Sequence, residues 1–136
     1  MRTMAIDFGD ARIGIAISDV TGTLTGRAFI IEERDFDRAA RRVAEEASAG
    51  GVARLVLGFP RNMDGSLGPR AEKTQEFAAL LERASGLPVI LWDERRTTVD
   101  ASRILSEVGK SGRKKKKLLD AVAASLILEG FLSSDR

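Results

Sequence analysis

The first twenty residues alternate between large apolar positions and small or polar ones. The large apolar residues are Met4, Ile6, Phe8, Ile13, Ile15 and Ile17, and the residues between them include Ala5, Asp7, Gly14, Ala16 and Ser18. A period of two is typical of strands, and Gly9-Asp10 supplies a turn. The pattern therefore predicts a hairpin with Asp7 and small side chains on one face.

The rest of the chain alternates strand and helix patterns. We predict a strand over 27–32, a helix that Asp35 caps and Gly50-Gly51 ends, a buried strand over 54–59 and a loop over 60–69. A helix from Pro69 to about Ser85, a buried strand over 89–92, a helix from Thr97 or Thr98 to Val108 and a helix over 118–132 follow. The fold class is therefore α/β, with an antiparallel meander and then parallel strands in a mixed five-stranded sheet, helices on both faces, and one domain over 1–136.

Composition restricts the available chemistry. The 136 residues include no Cys, His or Tyr. Catalysis by this chain must therefore use Asp, Glu, Lys, Arg, Ser or Thr, or a metal ion that carboxylates hold. The sequence shows no membrane span and no signal-peptide pattern, so we expect a cytoplasmic protein without a membrane partner.

Three carboxylates stand in unusual places. Asp7 lies within an apolar strand, where burying a charge costs several kcal/mol unless a partner or metal meets it. The alternative is that Asp7 caps the turn, a role that Asp10 fits better. Glu94 follows the last strand, and would share a sheet edge with Asp7 if the two strands are close neighbours. Asp120 lies in an apolar helix, where it either faces the sheet or occupies a first helical turn favoured by the helix dipole.

Converging carboxylates repel one another unless a cation intervenes. Oxygen ligands without His or Cys favour Mg²⁺ or Mn²⁺, and such ions commonly act on phosphate esters. The hypothesis from these residues is a metal-dependent endonuclease with two ions bound by Asp7, Glu94 and Asp120.

A strongly basic segment precedes Asp120. Its six positive residues are Lys110, Arg113, Lys114, Lys115, Lys116 and Lys117, whereas the whole chain has a net charge of only +2. We predict a cationic loop that binds a polyanion and would hold a phosphate backbone beside the metals. The alternative is a solvated loop that only aids solubility.

Four segments resemble, in order, the motifs of the YqgF family, also called RuvX. They are residues 7–14 (DFGDARIG), 58–65 (GFPRNMDG), 93–98 (DERRTT) and 120–124 (DAVAA). Members of this family are described as Holliday junction resolvases and as nucleases that mature the 5′ end of pre-16S rRNA, with an RNase H-like fold.

The resemblance implies that Asp7, Glu94 and Asp120 form a metal-binding catalytic triad, and that branched DNA or precursor rRNA is the partner. Many RNase H-like nucleases have a fourth acidic residue near the last one. We expect no such ligand in this helix, because its next acidic residue, Glu129, lies more than two turns beyond Asp120. Four arginines in the motifs are candidates for phosphate contact or for ion pairs with the carboxylates: Arg12, Arg61, Arg95 and Arg96.

Two other functions stay open at this stage. One is a non-catalytic nucleic-acid-binding module, and the other is a nucleotide phosphotransferase, because Asp-x-Gly on a first hairpin also holds phosphate in the actin and sugar-kinase group. A four-way junction is two-fold symmetric, so paired cuts would favour a homodimer.

Overall fold

A computed structural model describes residues 1–60, 68–93 and 112–134, and for 112–119 it describes the backbone alone. The predicted helix that begins at Thr97 or Thr98 and the central part of the predicted loop, 61–67, lie outside these residues.

The five strands form one sheet. They are β1 (Arg2–Asp7), β2 (Arg12–Ser18), β3 (Thr25–Glu32), β4 (Val52–Phe59) and β5 (Val89–Asp93). Their order in the sheet is β3-β2-β1-β4-β5. The first three strands pair antiparallel, and β1, β4 and β5 pair parallel. This arrangement confirms the predicted mixed sheet.

Three helices are described: α1 (Phe36–Ala49), α2 (Pro69–Ser85) and α3 (Gly112–Ser134). The side chain of Asp35 caps α1 by accepting a hydrogen bond from the backbone N–H of Arg38 at 2.8 Å. Gly51, which has a φ of 65°, follows the end of α1 as expected. No helix among the described residues is long and apolar enough to cross a membrane.

The start of α3 differs from the prediction. The helix begins at Gly112, six residues before the predicted start, so Arg113–Lys117 are helical and the predicted basic loop is wrong for these residues. Lys, Arg and Leu are strong helix formers, and residues 113–119 contain only these three types. Asp120 consequently lies eight residues into the helix, which excludes the first-turn explanation for this carboxylate.

The sheet separates two apolar layers. On one face, Met4, Ile6 and the isoleucines of β2 pack with α1 and α2, where the Phe8 ring stacks on Phe77 at 4.3 Å. On the other face the buried residues come from the strands and from α3: Ala5, Ala16, Val56, Trp92, Ala124, Ile127, Leu128, Phe131 and Leu132. The helices therefore cover both faces, as predicted, and α3 lies on the face that carries the small residues.

The prediction of β5 as a buried strand is wrong. This strand lies at the sheet edge, with β4 as its partner, and Leu91 is 40% exposed. Within β5 only Trp92 is buried. A continuous apolar run does not reveal whether a strand lies in the centre or at the edge of a sheet, because that depends on the order of the strands.

Candidate active site

Asp7 is the last residue of β1 and is half-buried. It pairs across the antiparallel ladder with Gly14 of β2. Directly opposed residues of such a ladder have side chains on the same face, so Asp7 and Gly14 share the α3 side of the sheet with Ala5 and Ala16. The predicted position of Asp7 on the small-residue face is confirmed.

Gly14 brings α3 against this part of the sheet. A Cβ atom at Gly14 would overlap the carbonyl oxygen of Asp120 and would lie 2.9 Å from its carbonyl carbon. It would also lie 3.4 Å from the Cβ of Ala124, one turn further along α3. The absence of a side chain at Gly14 thus allows close approach. Gly14 is consequently a neighbour of both acidic residues, of Asp7 through the ladder and of Asp120 through the helix backbone.

Arg12 meets the Asp120 carboxylate directly. Its Nε lies 3.1 Å from Oδ2 of Asp120, and the side chains are 23% and 27% exposed. Arg12 precedes Gly14 by two residues and therefore occupies the same face of β2. Of the two roles considered for Arg12, the structure shows the ion pair, and phosphate contact stays a prediction.

Two cations of α2 hold the turn between β1 and β2. Lys73 Nζ donates to Asp10 Oδ1 at 2.9 Å, and Arg70 Nη1 lies 3.8 Å from Asp10 Oδ2. Arg70 Nη2 also donates to the carbonyl of Phe8, the residue after Asp7, at 2.7 Å. The hydrogen bond from Lys73, followed by the charges of Lys73 and Arg70, lowers the pKa of the Asp10 carboxyl below its ordinary value of 3.8. The contacts anchor the end of β1 beyond Asp7.

Arg70 and Lys73 did not emerge as site residues from the sequence. They are three residues apart at the start of a helix, which places them on one helical face. This spacing was the only local signal, because their partner lies about sixty residues away in the chain.

Several predicted site residues lie outside the described part of the chain: Glu94, Arg61, Arg95, Arg96 and Lys110. Glu94 immediately follows β5, whose last residue Asp93 pairs with Phe59 of β4. The structure describes only the backbone of Arg113–Lys117, in α3. Within the described residues, no three acidic, His or Cys side chains come together as a metal site. Of the three predicted ligands, the structure describes Asp7 and Asp120, and both neighbour Gly14.

Curated relatives cover nearly all of the sequence. A protein of Acetivibrio thermocellus is 46% identical over 136 residues, which cover 98% of this chain and 96% of the relative. A protein of Halothermothrix orenii is 45% identical over 137 residues, which cover 98% and 95%. Both relatives carry the name "Putative pre-16S rRNA nuclease".

Solved structures share the fold. RuvC of T. thermophilus, in complex with a Holliday junction substrate, is similar with a TM-score of 0.66 at 14% identity, over 99% of this chain and 96% of that chain. A ROK hexokinase from Thermus thermophilus is similar with a TM-score of 0.51 at 24% identity. That likeness covers 76% of this chain and only 38% of the hexokinase.

The sequence profile of the RuvX family, described as Holliday junction resolvase, matches residues 1–134. The full-length match agrees with the relatives, and the RuvC likeness agrees with the mixed sheet. This chain therefore belongs to the RuvX family and is a nuclease with an RNase H-like fold.

Proposed function

We propose that this protein is a divalent-metal-dependent endonuclease that cuts phosphodiester bonds in precursor 16S rRNA. Its active site comprises Asp7, Asp120 and Glu94, at the end of the sheet where β1 and β5 finish. The observation that carries the proposal is the contact of Gly14 with the Asp120 backbone, since Gly14 is also the ladder partner of Asp7. Two acidic residues from distant parts of the sequence therefore both neighbour Gly14, which supports a shared site for their carboxylates.

The donor chemistry of these residues fits a hard divalent ion. Carboxylate oxygens are the ligands that Mg²⁺ and Mn²⁺ favour, and the sequence has no His or Cys to select a softer metal. Asp7, Glu94 and Asp120 would hold the metal, for which we propose two ions. Bound ions of this kind activate water and stabilise the leaving oxygen of a phosphodiester.

The chain's own residues then have distinct roles. Asp7 supplies a carboxylate from a strand end that Arg70 anchors through the Phe8 carbonyl. Asp120 supplies a second carboxylate from a helix whose distance from the sheet Gly14 determines. Arg12 orients the Asp120 carboxylate through Oδ2 and places a permanent positive charge where a phosphate would approach.

The names of the relatives and of the family suggest two nucleic-acid substrates. Precursor rRNA is the first candidate, because the relatives that are about 45% identical carry that name. Branched DNA is the second, because the family profile is described as Holliday junction resolvase. Resolution of a four-way junction would favour a homodimer with two active sites, whereas trimming an RNA end would not require one. Both activities agree with our proposal of a cytoplasmic protein.

A side-by-side cleavage assay decides between the substrates. Purified protein is offered a precursor 16S rRNA fragment and a synthetic four-way DNA junction in Mn²⁺, with Asp7→Asn as the matched control. We expect cleavage of the RNA at defined positions, and no cleavage by the variant, which should retain the circular dichroism spectrum and melting temperature of the wild type. Cleavage of the junction alone would favour the second candidate, and cleavage by Asp7→Asn would overturn the assignment of Asp7.

Two other functions, a non-catalytic binding module and a phosphotransferase, can be tested with the same purified protein. Binding of either nucleic acid without cleavage in Mg²⁺ and Mn²⁺ would indicate a non-catalytic module. A phosphotransferase would bind ATP, and the hexokinase likeness invites that measurement although it shows the fold alone. The hexokinase is more than twice as long as the matched part, so one copy of this chain lacks the second half of such an enzyme.

A further inference from the structure

A cavity of about 400 Å³ opens beside the Arg12–Asp120 ion pair. Among the described residues, its lining consists of Ala11, Arg12, Glu32, Glu33 and Arg34. Arg12 and Glu32 are ladder partners at the ends of β2 and β3, and Glu33 N donates to the Ala11 carbonyl at 3.0 Å. The cavity is therefore built on a hydrogen-bonded strand end.

The charges around this cavity favour an anion. Glu33 is only 12% exposed, and Arg38 and Arg42 lie 3.7 Å and 3.5 Å from its carboxylate. Glu32 also lines the cavity and is exposed, so the two carboxylates of the lining are set against four arginine side chains, the two of the lining and these two. Arg34, in contrast, is exposed and forms no ion pair with any residue in the described ranges. Its charge is available to a ligand.

Arg12 connects the cavity to the proposed active site. The ion pair with Asp120 uses Nε, and within the described residues Arg12 makes no second ion pair. A guanidinium has five N–H donors in a fixed planar arrangement. Arg12 can therefore hold Asp120 through Nε while its terminal amino groups contact a phosphate.

We infer that this cavity is a subsite for one nucleotide of the substrate, the nucleotide next to the phosphate that is cut. The inference rests on the proposed function, because Asp120 marks where cutting occurs. The volume lies within the range of about 300–1,000 Å³ that is usual for small-ligand sites. Arg12 and Arg34 bind the phosphate of this nucleotide, and the cavity takes its sugar and base.

A second cavity supplies an internal control. It has a volume of about 490 Å³ and lies at the other end of the hairpin, where its lining includes Ser18, Gly26 and Arg27. The Arg27 guanidinium lies 4.5 Å from the centre of the Phe29 ring. The second cavity is similar in size to the first. It has Arg27 of β3 where the first has Arg34, two residues beyond the end of β3, but it is remote from Asp7 and Asp120.

The test is a titration of the full-length protein, without metal, followed by amide NMR. The probes are adenosine 5′-monophosphate and its 2′-deoxy form. We expect saturable shifts at Ala11, Glu33 and Arg34, a Kd about tenfold weaker for Arg34→Gln, and an unchanged Kd for Arg27→Gln. Equal affinity for the two probes indicates a subsite that does not contact the 2′-hydroxyl, and tighter binding of the ribonucleotide indicates one that does.

Absence of shifts at these amides, or an unchanged Kd for Arg34→Gln, would overturn the subsite. The titration involves no cleavage, so its outcome is independent of the nuclease assay. A protein that cuts neither substrate but binds the nucleotides would refute the proposed function and retain the binding site. A protein that cuts RNA with the same KM for wild type and Arg34→Gln would support the proposed function and refute the subsite.

Discussion

The carbonyl oxygen of Asp120 lies so close to Gly14 that no Cβ atom fits between them. Gly14 therefore determines how near α3 comes to the sheet at the level of Asp7. The position is not one where the backbone demands glycine, since the only positive φ angles among the described residues belong to Gly22, Gly51 and Gly86. Close approach of the helix, rather than backbone conformation, explains glycine at position 14.

Substitution of Gly14 by Ala should destabilise the protein and impair the site together. The added methyl group must displace α3, and overpacking of this kind typically costs about 1–3 kcal/mol. Because the displaced helix carries Asp120, we also expect weaker Mn²⁺ binding. Urea denaturation measures the first effect, and calorimetric titration with Mn²⁺ measures the second.

Gly130→Ala is the matched control in the same helix. A Cβ there would lie 3.4 Å from the Trp92 ring, which is an ordinary contact distance. Alanine favours the helix over glycine by up to about 1 kcal/mol, so stability should stay level or rise. Wild-type stability and Mn²⁺ affinity in Gly14→Ala would show that α3 is not held by this contact.

Arg12→Gln should affect binding more than folding. Both members of the ion pair with Asp120 are partly exposed, and pairs of this kind contribute up to about 1 kcal/mol. Loss of one phosphate contact should lower the log-log salt slope of nucleic-acid binding by about 0.7–0.9. Arg12→Lys keeps the charge and should largely keep the slope. A loss of several kcal/mol of stability with an unchanged slope would make Arg12 a structural residue alone.

The hairpin and the first two helices could be predicted because their signals are local. Alternation in β1 and β2 required only neighbouring residues, as did the Asp35 cap and the start of α2 at Pro69. Such signals act through the backbone of a few adjacent residues, so the surrounding fold does not alter them.

The contacts that complete the site could not be predicted, because they join distant parts of the chain. Arg12 and Asp120 are both ordinary charged residues in the sequence, and their pairing depends on the placement of α3 over β2. The edge position of β5 likewise depends on strand order. The start of α3 was missed for a different reason, since a lysine run has helix propensity but no apolar periodicity.

The contacts of Asp10 should give stability a dependence on pH. The Lys73 hydrogen bond lowers the pKa of Asp10 in the folded state, so its contribution is present above the ordinary value of 3.8 and is lost as the pH falls through the lowered pKa. We expect Asp10→Asn to be less stable than wild type at pH 7, with the difference vanishing in acid. Urea denaturation from pH 7 to pH 2 measures it.

Lys73→Gln tests the partner of that contact. The single variant should lose stability at pH 7, and the double variant with Asp10→Asn should lose less than the sum of the two singles. High salt should reduce all of these differences, since Asp10 is exposed. Additive losses would indicate that Asp10 and Lys73 act separately and that the β1–β2 turn is anchored mainly by Arg70.

Neutralising Lys114–Lys117 separates the two explanations of the basic segment. These residues lie in the first two turns of α3, where the helix dipole disfavours positive charge. Four Lys→Gln substitutions should therefore leave the melting temperature level or raise it. Nucleic-acid affinity should nevertheless fall, with the log-log salt slope decreasing by about 0.9 per lost duplex contact or about 0.7 per lost single-strand contact.

Arg83→Gln is the control for this experiment, because Arg83 lies in the last turn of α2, where a positive charge is favoured. It should lower the melting temperature slightly and leave the salt slope unchanged. Opposite effects on stability and binding in the lysine variant would show that these charges are kept for an anionic partner, at a cost to the helix. An unchanged slope would instead assign the basic segment to solubility, because charges that contact no phosphate release no counterions on binding.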